Sequence, residues 1–127
     1  MKVIFACVHN AGRSQMAAAF YNKLAGGGAA SAGTQPGERV HPEVVSVMRE
    51  IGIGLSNAKP QLLTEDLARD ANLLVTMGCG DQCPFVPGLK VEDWLLPDPK
   101  GKSLDEVRRI RDEIKERISK LIRQEKN

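Results

Sequence analysis

Residues 7–14 read Cys-Val-His-Asn-Ala-Gly-Arg-Ser, and what flanks them decides the fold. Upstream, Lys2-Val3-Ile4-Phe5-Ala6 has the apolar run of a buried strand. Downstream, Ser14 to Leu24 reads as a helix, which Gly26-Gly27-Gly28 stops. A loop between a buried strand and a helix N-terminus points its backbone N–H groups inward and forms a nest for an anion. Cys7 stands at the base of that nest and Arg13 at its lip. The positive field that holds an oxyanion also favours thiolate over thiol. The stretch thus supplies a nucleophile, its activation and an oxyanion site made by Val8, His9, Asn10, Ala11, Gly12, Arg13 and Ser14. Gly12 is expected at positive φ, where a loop wraps tightly on its ligand. A lone cysteine ending a strand is ordinarily a small core hydrophobe. The combination of strand, cysteine, five residues, Arg-Ser and helix carries the functional reading.

Outward from this unit the pattern repeats. Ala29-Ala30-Ser31-Ala32 is weak strand material, placed as a strand because a second strand–helix unit begins there. Pro42 opens a helix with the apolar stripe Val44, Val45, Val47, Met48 and Ile51, ended by Gly52. Thr64 is a candidate N-cap for a short helix ending near Ala71. Leu73-Leu74-Val75-Thr76-Met77 is a continuous run of the kind buried parallel strands show. Lys90 to Trp94 is a fourth short strand, followed by a Pro-rich loop to Lys102. Ser103 with Glu106 forms a capping box for a last helix. Its apolar positions are Leu104, Val107, Ile110, Ile114, Ile118 and Leu121.

Alternating strands and helices predict a parallel sheet covered on both faces. Active sites in such sheets lie beyond the carboxyl ends of the strands. Cys7 follows strand one, Cys79 follows strand three, and Asp98 lies in the loop after strand four, so topology gathers all three at one edge.

The totals narrow the class. The 127 residues suit a single domain, 1–127, with enough core to fold unaided. A net charge of +2 gives no lead toward nucleic acid or membrane. The last helix mixes eight basic and six acidic residues from Ser103 to Asn127, which reads as a solvated face. No apolar run reaches spanning length, and the N-terminal run lacks the features of a signal peptide, so the cytoplasm is expected. Three cysteines, an odd number, fit a reducing compartment better than a disulfide framework.

Cys79 and Cys83 fall in Gly78-Cys79-Gly80-Asp81-Gln82-Cys83-Pro84. Three readings stand side by side: incidental thiols, a zinc set with Cys7 and His9, and redox chemistry. Zinc spacing is unlike that of the ordinary knuckles, and no metal is expected. A disulfide needs Cβ atoms about 3.5–4.5 Å apart. Helical i,i+4 neighbours are about 5–6 Å apart, so a Cys79–Cys83 bond requires a non-helical segment, one that moves during turnover.

Several of these stretches resemble one family. Cys7 to Ser14 with Gln15-Met16-Ala17 is similar to the phosphate-binding loop of the low-molecular-weight tyrosine phosphatases, and within them to the arsenate reductases of that fold. Ser31-Ala32-Gly33-Thr34, Leu73 to Cys79 and Trp94 to Asp98-Pro99 resemble further family segments. The resemblance implies a three-layer α/β/α fold with a four-stranded parallel sheet in the order 2-1-3-4. It also implies arsenate reduction, with phosphate or sulfate as mimics of the substrate. Cys7 attacks arsenate held by the loop and Arg13, and Asp98 acts as general acid. Cys79 then attacks Cys7, arsenite leaves, and Cys83 takes over the disulfide with Cys79. A thioredoxin-like partner, thioredoxin or glutaredoxin, supplies reducing equivalents, with no bound cofactor. Ser14 bonds the thiolate, and Asn10 braces the loop. Some members carry an acidic residue that helps bind potassium where this chain has Ala18, so that site is not expected here. His9 either tunes Cys7 or fills space, and His41 is a helix-start residue. A monomer is expected.

Two other functions use parts of the same set. A low-molecular-weight protein tyrosine phosphatase needs Cys7, Arg13 and Asp98 but neither Cys79 nor Cys83. It also needs aromatic walls near Asp98, where only Trp94 is close in sequence. An oxyanion or metal sensor binds once and does not turn over.

Overall fold

The computed structural model describes residues 2–78 and 88–125. Eight elements follow in order: β1 Val3–Cys7, α1 Arg13–Ala25, β2 Ala29–Gly33, α2 Pro42–Arg49, α3 Glu65–Arg69, β3 Leu73–Thr76, β4 Lys90–Asp93 and α4 Leu104–Glu125. The strands form one parallel sheet in the order β2-β1-β3-β4. This is the three-layer α/β/α arrangement the strand–helix alternation predicts. β1 lies between β2 and β3, with Cys7 opposite Gly33 and Ala6 opposite Thr76.

Side chains alternate across a strand, so each strand feeds two cores. Val3, Phe5, Cys7, Leu73 and Val75 pack on one side with α1, α2 and α4. Ile4, Ala6, Ala32 and Leu74 pack on the other with Leu63 and Leu67. β1 is therefore buried throughout, and its unbroken apolar run follows from having two dry faces.

The predicted punctuation does its work. Gly26 takes a left-handed conformation (φ 82°) and its N–H returns to the Asn22 carbonyl at 3.0 Å. The Thr64 hydroxyl accepts from the Leu67 N–H at 3.1 Å. Ser103 accepts from the Glu106 N–H at 3.3 Å and donates back to its carboxylate at 3.2 Å. α4 buries Val107, Ile110, Ile114, Ile118 and Leu121, each contributing about 1.5–3 kcal/mol. Leu104 departs from the stripe: it stands exposed in the first turn. Ile51 likewise lies past the end of α2 and is exposed.

Glu50 ties α2 to α4. It accepts from Arg108 at 3.0 and 2.7 Å and from Arg111 at 2.9 Å. The Arg108 hydrogen bonds, with the one from Arg111, hold its carboxyl below the usual glutamate range.

Among the described residues no helix is long and apolar enough to cross a membrane.

Candidate active site

The site begins where β1 ends. Four carbonyls of the turn face outward and are tied to the segment that follows β2. The N–H groups of Thr34, Gln35, Gly37 and His41 donate to the carbonyls of Cys7, Val8, His9 and Ala11 at 3.3, 2.8, 2.9 and 2.9 Å. The alternate side of the same peptides faces inward. Among the described residues, no backbone carbonyl accepts from the amides of residues 8–14. Those N–H groups sit at the start of α1, where the helix dipole adds positive field. A tetrahedral oxyanion is what such a set of donors accommodates.

Two glycines make this compactness available. Gly33 closes β2 against the loop, and a Cβ there would lie 2.6 Å from the Val8 carbonyl oxygen and 2.9 Å from the Asn10 nitrogen. At the end of β2 the absence of a side chain is thus demanded by proximity. Gly12 has φ −143°, outside the left-handed region, so the expectation of positive φ is corrected. Its lack of a side chain matters for another reason: a Cβ would meet Pro99 Cγ at 2.7 Å. The residue of the loop with positive φ is Asn10, at 52°.

Cys7 is buried and its Sγ lies 2.9 Å from the Ser14 hydroxyl. Asn10 is fully buried and donates from Nδ2 to the same hydroxyl at 2.7 Å. Val8 and Ala11 contribute backbone only. His9 is exposed, and its Nδ1 donates to the Gln35 carbonyl at 3.0 Å, which fixes its tautomer.

Arg13 is the first residue of α1. Its Nη1 donates to the Leu96 carbonyl at 3.0 Å, and its Nη2 lies 3.8 Å from Asp98 Oδ2. The Arg13 side chain is 12% exposed and that of Asp98 51%. The guanidinium also packs on Gly78 (φ 95°), where a Cβ would approach Nη1 to 3.0 Å. Asp98 accepts from the Lys100 N–H at 3.0 Å, and the adjoining Pro99 rests on Gly12. The loop after β4 is thereby docked on the loop after β1. Cys7, Arg13, Ser14 and Asp98 share one end of the sheet. Cys79 and Cys83 lie outside the described residues, as do the predicted motion of their segment and the zinc set that needs them.

Trp94 turns away from this end. It is buried 6.0 Å from the Phe5 ring, with the Arg117 guanidinium 5.9 Å over its face. It therefore supplies no aromatic wall beside Asp98. Gly33, Gly78 and Gln15 fall in stretches that carry the family resemblance but received no role at the site from the sequence, and Gln61 was not singled out at all. Gln15 and Gln61 are polar residues in ordinary positions, and only the fold brings them to Asn10.

Comparison with known proteins agrees with this fold. A family model described as low molecular weight phosphotyrosine protein phosphatase matches residues 2–127. A glutaredoxin arsenate reductase of Synechocystis is 38% identical over 126 residues, covering 95% of either chain. An arsenate reductase of Staphylococcus aureus is 37% identical over 125 residues, covering 94% of either chain. The structure of a thioredoxin-dependent arsenate reductase of Corynebacterium glutamicum is 40% identical with a TM-score of 0.83. It is matched by 97% of this chain, which spans 60% of that longer one.

Proposed function

Because the chain belongs to the low molecular weight phosphotyrosine protein phosphatase family, we propose that it is an arsenate reductase of the thiol-coupled kind. The observation that carries this reading is Cys7 Sγ, 2.9 Å from the Ser14 hydroxyl, at the base of a loop whose amides have no backbone acceptor among the described residues.

Arsenate binds with its oxygens on the amides of residues 8–14 and on the Arg13 guanidinium, which exchanges its Leu96 contact for the anion. The Cys7 thiolate attacks arsenic, and an arsenic–oxygen bond breaks. Asp98 gives a proton to the departing oxygen, which leaves as water. Cys79 then attacks the Cys7 sulfur. The arsenic–sulfur pair of electrons passes to arsenic, which leaves as arsenite, and a Cys7–Cys79 disulfide remains. Cys83 attacks Cys79, frees Cys7, and the Cys79–Cys83 disulfide is reduced by an external dithiol. Two electrons reach arsenic and two are returned by the partner, so the cycle balances. The relatives name two partners of this chemistry, glutaredoxin and thioredoxin. The enzyme works as a monomeric single domain in the cytoplasm, without a bound cofactor, and serves arsenic detoxification.

The test is arsenite formation by purified protein with thioredoxin, thioredoxin reductase and NADPH. Sustained arsenate-dependent NADPH loss, abolished in Cys7→Ser and Cys83→Ser, is the expected result. One arsenite per protein without turnover keeps the chemistry and moves the partner to glutaredoxin with glutathione. Cleavage of an aryl phosphate without arsenite overturns the reading in favour of a phosphatase.

A further inference from the structure

Behind the oxyanion loop lies a polar chain that touches neither substrate nor sulfur at its far end. Gln15, 6% exposed in the first turn of α1, aims its Nε2 at three oxygens. They are the Asn10 carbonyl at 3.1 Å, Asn10 Oδ1 at 3.2 Å and the Lys59 carbonyl at 3.3 Å. Two of these are backbone acceptors. The third is fixed as oxygen because the Gln61 N–H donates to it at 3.0 Å. A carboxamide is oriented by its partners, and here the backbone leaves one consistent assignment.

That assignment propagates. With Oδ1 held by Gln61 and Gln15, Asn10 must present its NH₂ to Ser14, at 2.7 Å. The Ser14 oxygen then accepts, and its single hydrogen has the Cys7 sulfur as the acceptor at hand, at 2.9 Å. A sulfur that receives a hydrogen bond is favoured as thiolate. The direction of every hydrogen from Gln61 to Cys7 is thus set at the rear of the loop. The same Gln15 amide grips both the main chain and the side chain of Asn10, the one non-glycine residue at positive φ among those described. Such a conformation persists only where its surroundings over-determine it.

We propose that Gln15 is a positioning residue for Cys7: together with the Gln61 N–H it holds Asn10 Oδ1, and so locks the polarity of the Asn10–Ser14 pair so that Ser14 donates to the sulfur. This rests on Cys7 acting as the thiolate nucleophile of the proposed function. The test is alkylation of Cys7 by iodoacetamide across pH, followed on the Cys7 peptide by mass spectrometry so that Cys79 and Cys83 do not contribute. Gln15→Glu keeps the shape and turns a donor into an acceptor facing three oxygens. Its alkylation is expected to fall about tenfold on the acid side of the pH profile and to converge on the parent rate at high pH. Gln15→Met, which removes the donor without adding charge, should shift the midpoint in the same direction by less. In an Asn10→Ala background Gln15→Met should shift it no further. If Gln15→Glu does not fold, the Met series alone decides. A lowered melting temperature with an unmoved midpoint in Gln15→Met, or a full extra shift in the Asn10→Ala background, overturns the proposal. No arsenate or reductant enters this measurement, so failure to reduce arsenate bears on the proposed function and leaves this result standing.

Discussion

Replacing Gly12 by alanine adds a methyl group where the loop after β1 touches the loop after β4. That carbon would sit 2.7 Å from Pro99 Cγ, 3.4 Å from Pro99 Cδ and 3.5 Å from His41 Cδ2. Ordinary carbon–carbon contact begins near 3.5 Å, so the Asp98-Pro99 loop must retreat by roughly 1 Å. Overpacking of this size costs about 1–3 kcal/mol in stability. The larger effect is on chemistry, because a misplacement of about 1 Å can cost about 10²-fold in rate. Asp98 moves with Pro99, while Cys7, Ser14 and Asn10 stay bonded to one another on the other side of Gly12. Single-turnover arsenite formation in Gly12→Ala should therefore drop about 10²-fold while Cys7 alkylation remains at the parent rate. Pro99→Ala removes both crowded atoms, so the double variant should regain most of the lost rate, a coupling that only contacting sites show. Two results would refute the reasoning. One is a Gly12→Ala rate within twofold of the parent. The other is a double variant no faster than Gly12→Ala, which would put the damage in the loop itself.

Gly33→Ala confronts backbone atoms at 2.6 and 2.9 Å rather than a movable side chain, so a melting scan should show the larger loss of the two glycine variants, together with weaker phosphate binding by titration. Ile114→Ala empties a fully buried position of α4 and should cost about 2–5 kcal/mol, read from urea midpoints. Tyr21 is buried and donates to Glu125 at 2.7 Å, and burial first, then that bond and the carboxylate's charge, push its phenol from 10.0 up to about 12. The folded state thus prefers the neutral phenol. Its contribution is complete below pH 10 and lost as the pH climbs toward about 12, a decline in urea stability that Tyr21→Phe should flatten.

The parallel sheet was legible because β1 and β3 carry unbroken apolar runs, α4 carries a helical stripe, and glycine and proline punctuate them, whereas the strand order was implied by the family resemblance. Cys7, Cys79 and Asp98 could be assigned to one edge since parallel topology sends every strand's carboxyl end the same way; Cys7 and Asp98 lie there, and Cys79 lies outside the described residues. β2 was legible only by its place in the alternation, as its small residues give little strand propensity, and its last, Gly33, answers to the Val8 carbonyl. Gly12 was recognised as necessary for the wrong reason: the constraint comes from Pro99, 87 residues away in sequence. A separation of 51 residues hid Gln61, whose service to Asn10 is performed by a backbone N–H that no side-chain pattern encodes. Trp94, near Asp98 in sequence, belongs to the core because β4 ends at Asp93 and the next side chain turns under α4.

The outward-tied carbonyls of residues 7, 8, 9 and 11 have a consequence for how occupancy can be watched. A peptide whose oxygen is bonded and whose hydrogen is not has its plane fixed and its proton free. Deuterium should therefore enter the amides of residues 8–13 rapidly in the empty protein, although β1 before them and α1 after them are among its slowest-exchanging parts. An arriving oxyanion covers those protons without any rearrangement of the chain. Slowed labelling confined to this one short peptide would report binding directly, in protein whose cysteines have all been replaced by serine and which performs no chemistry at all.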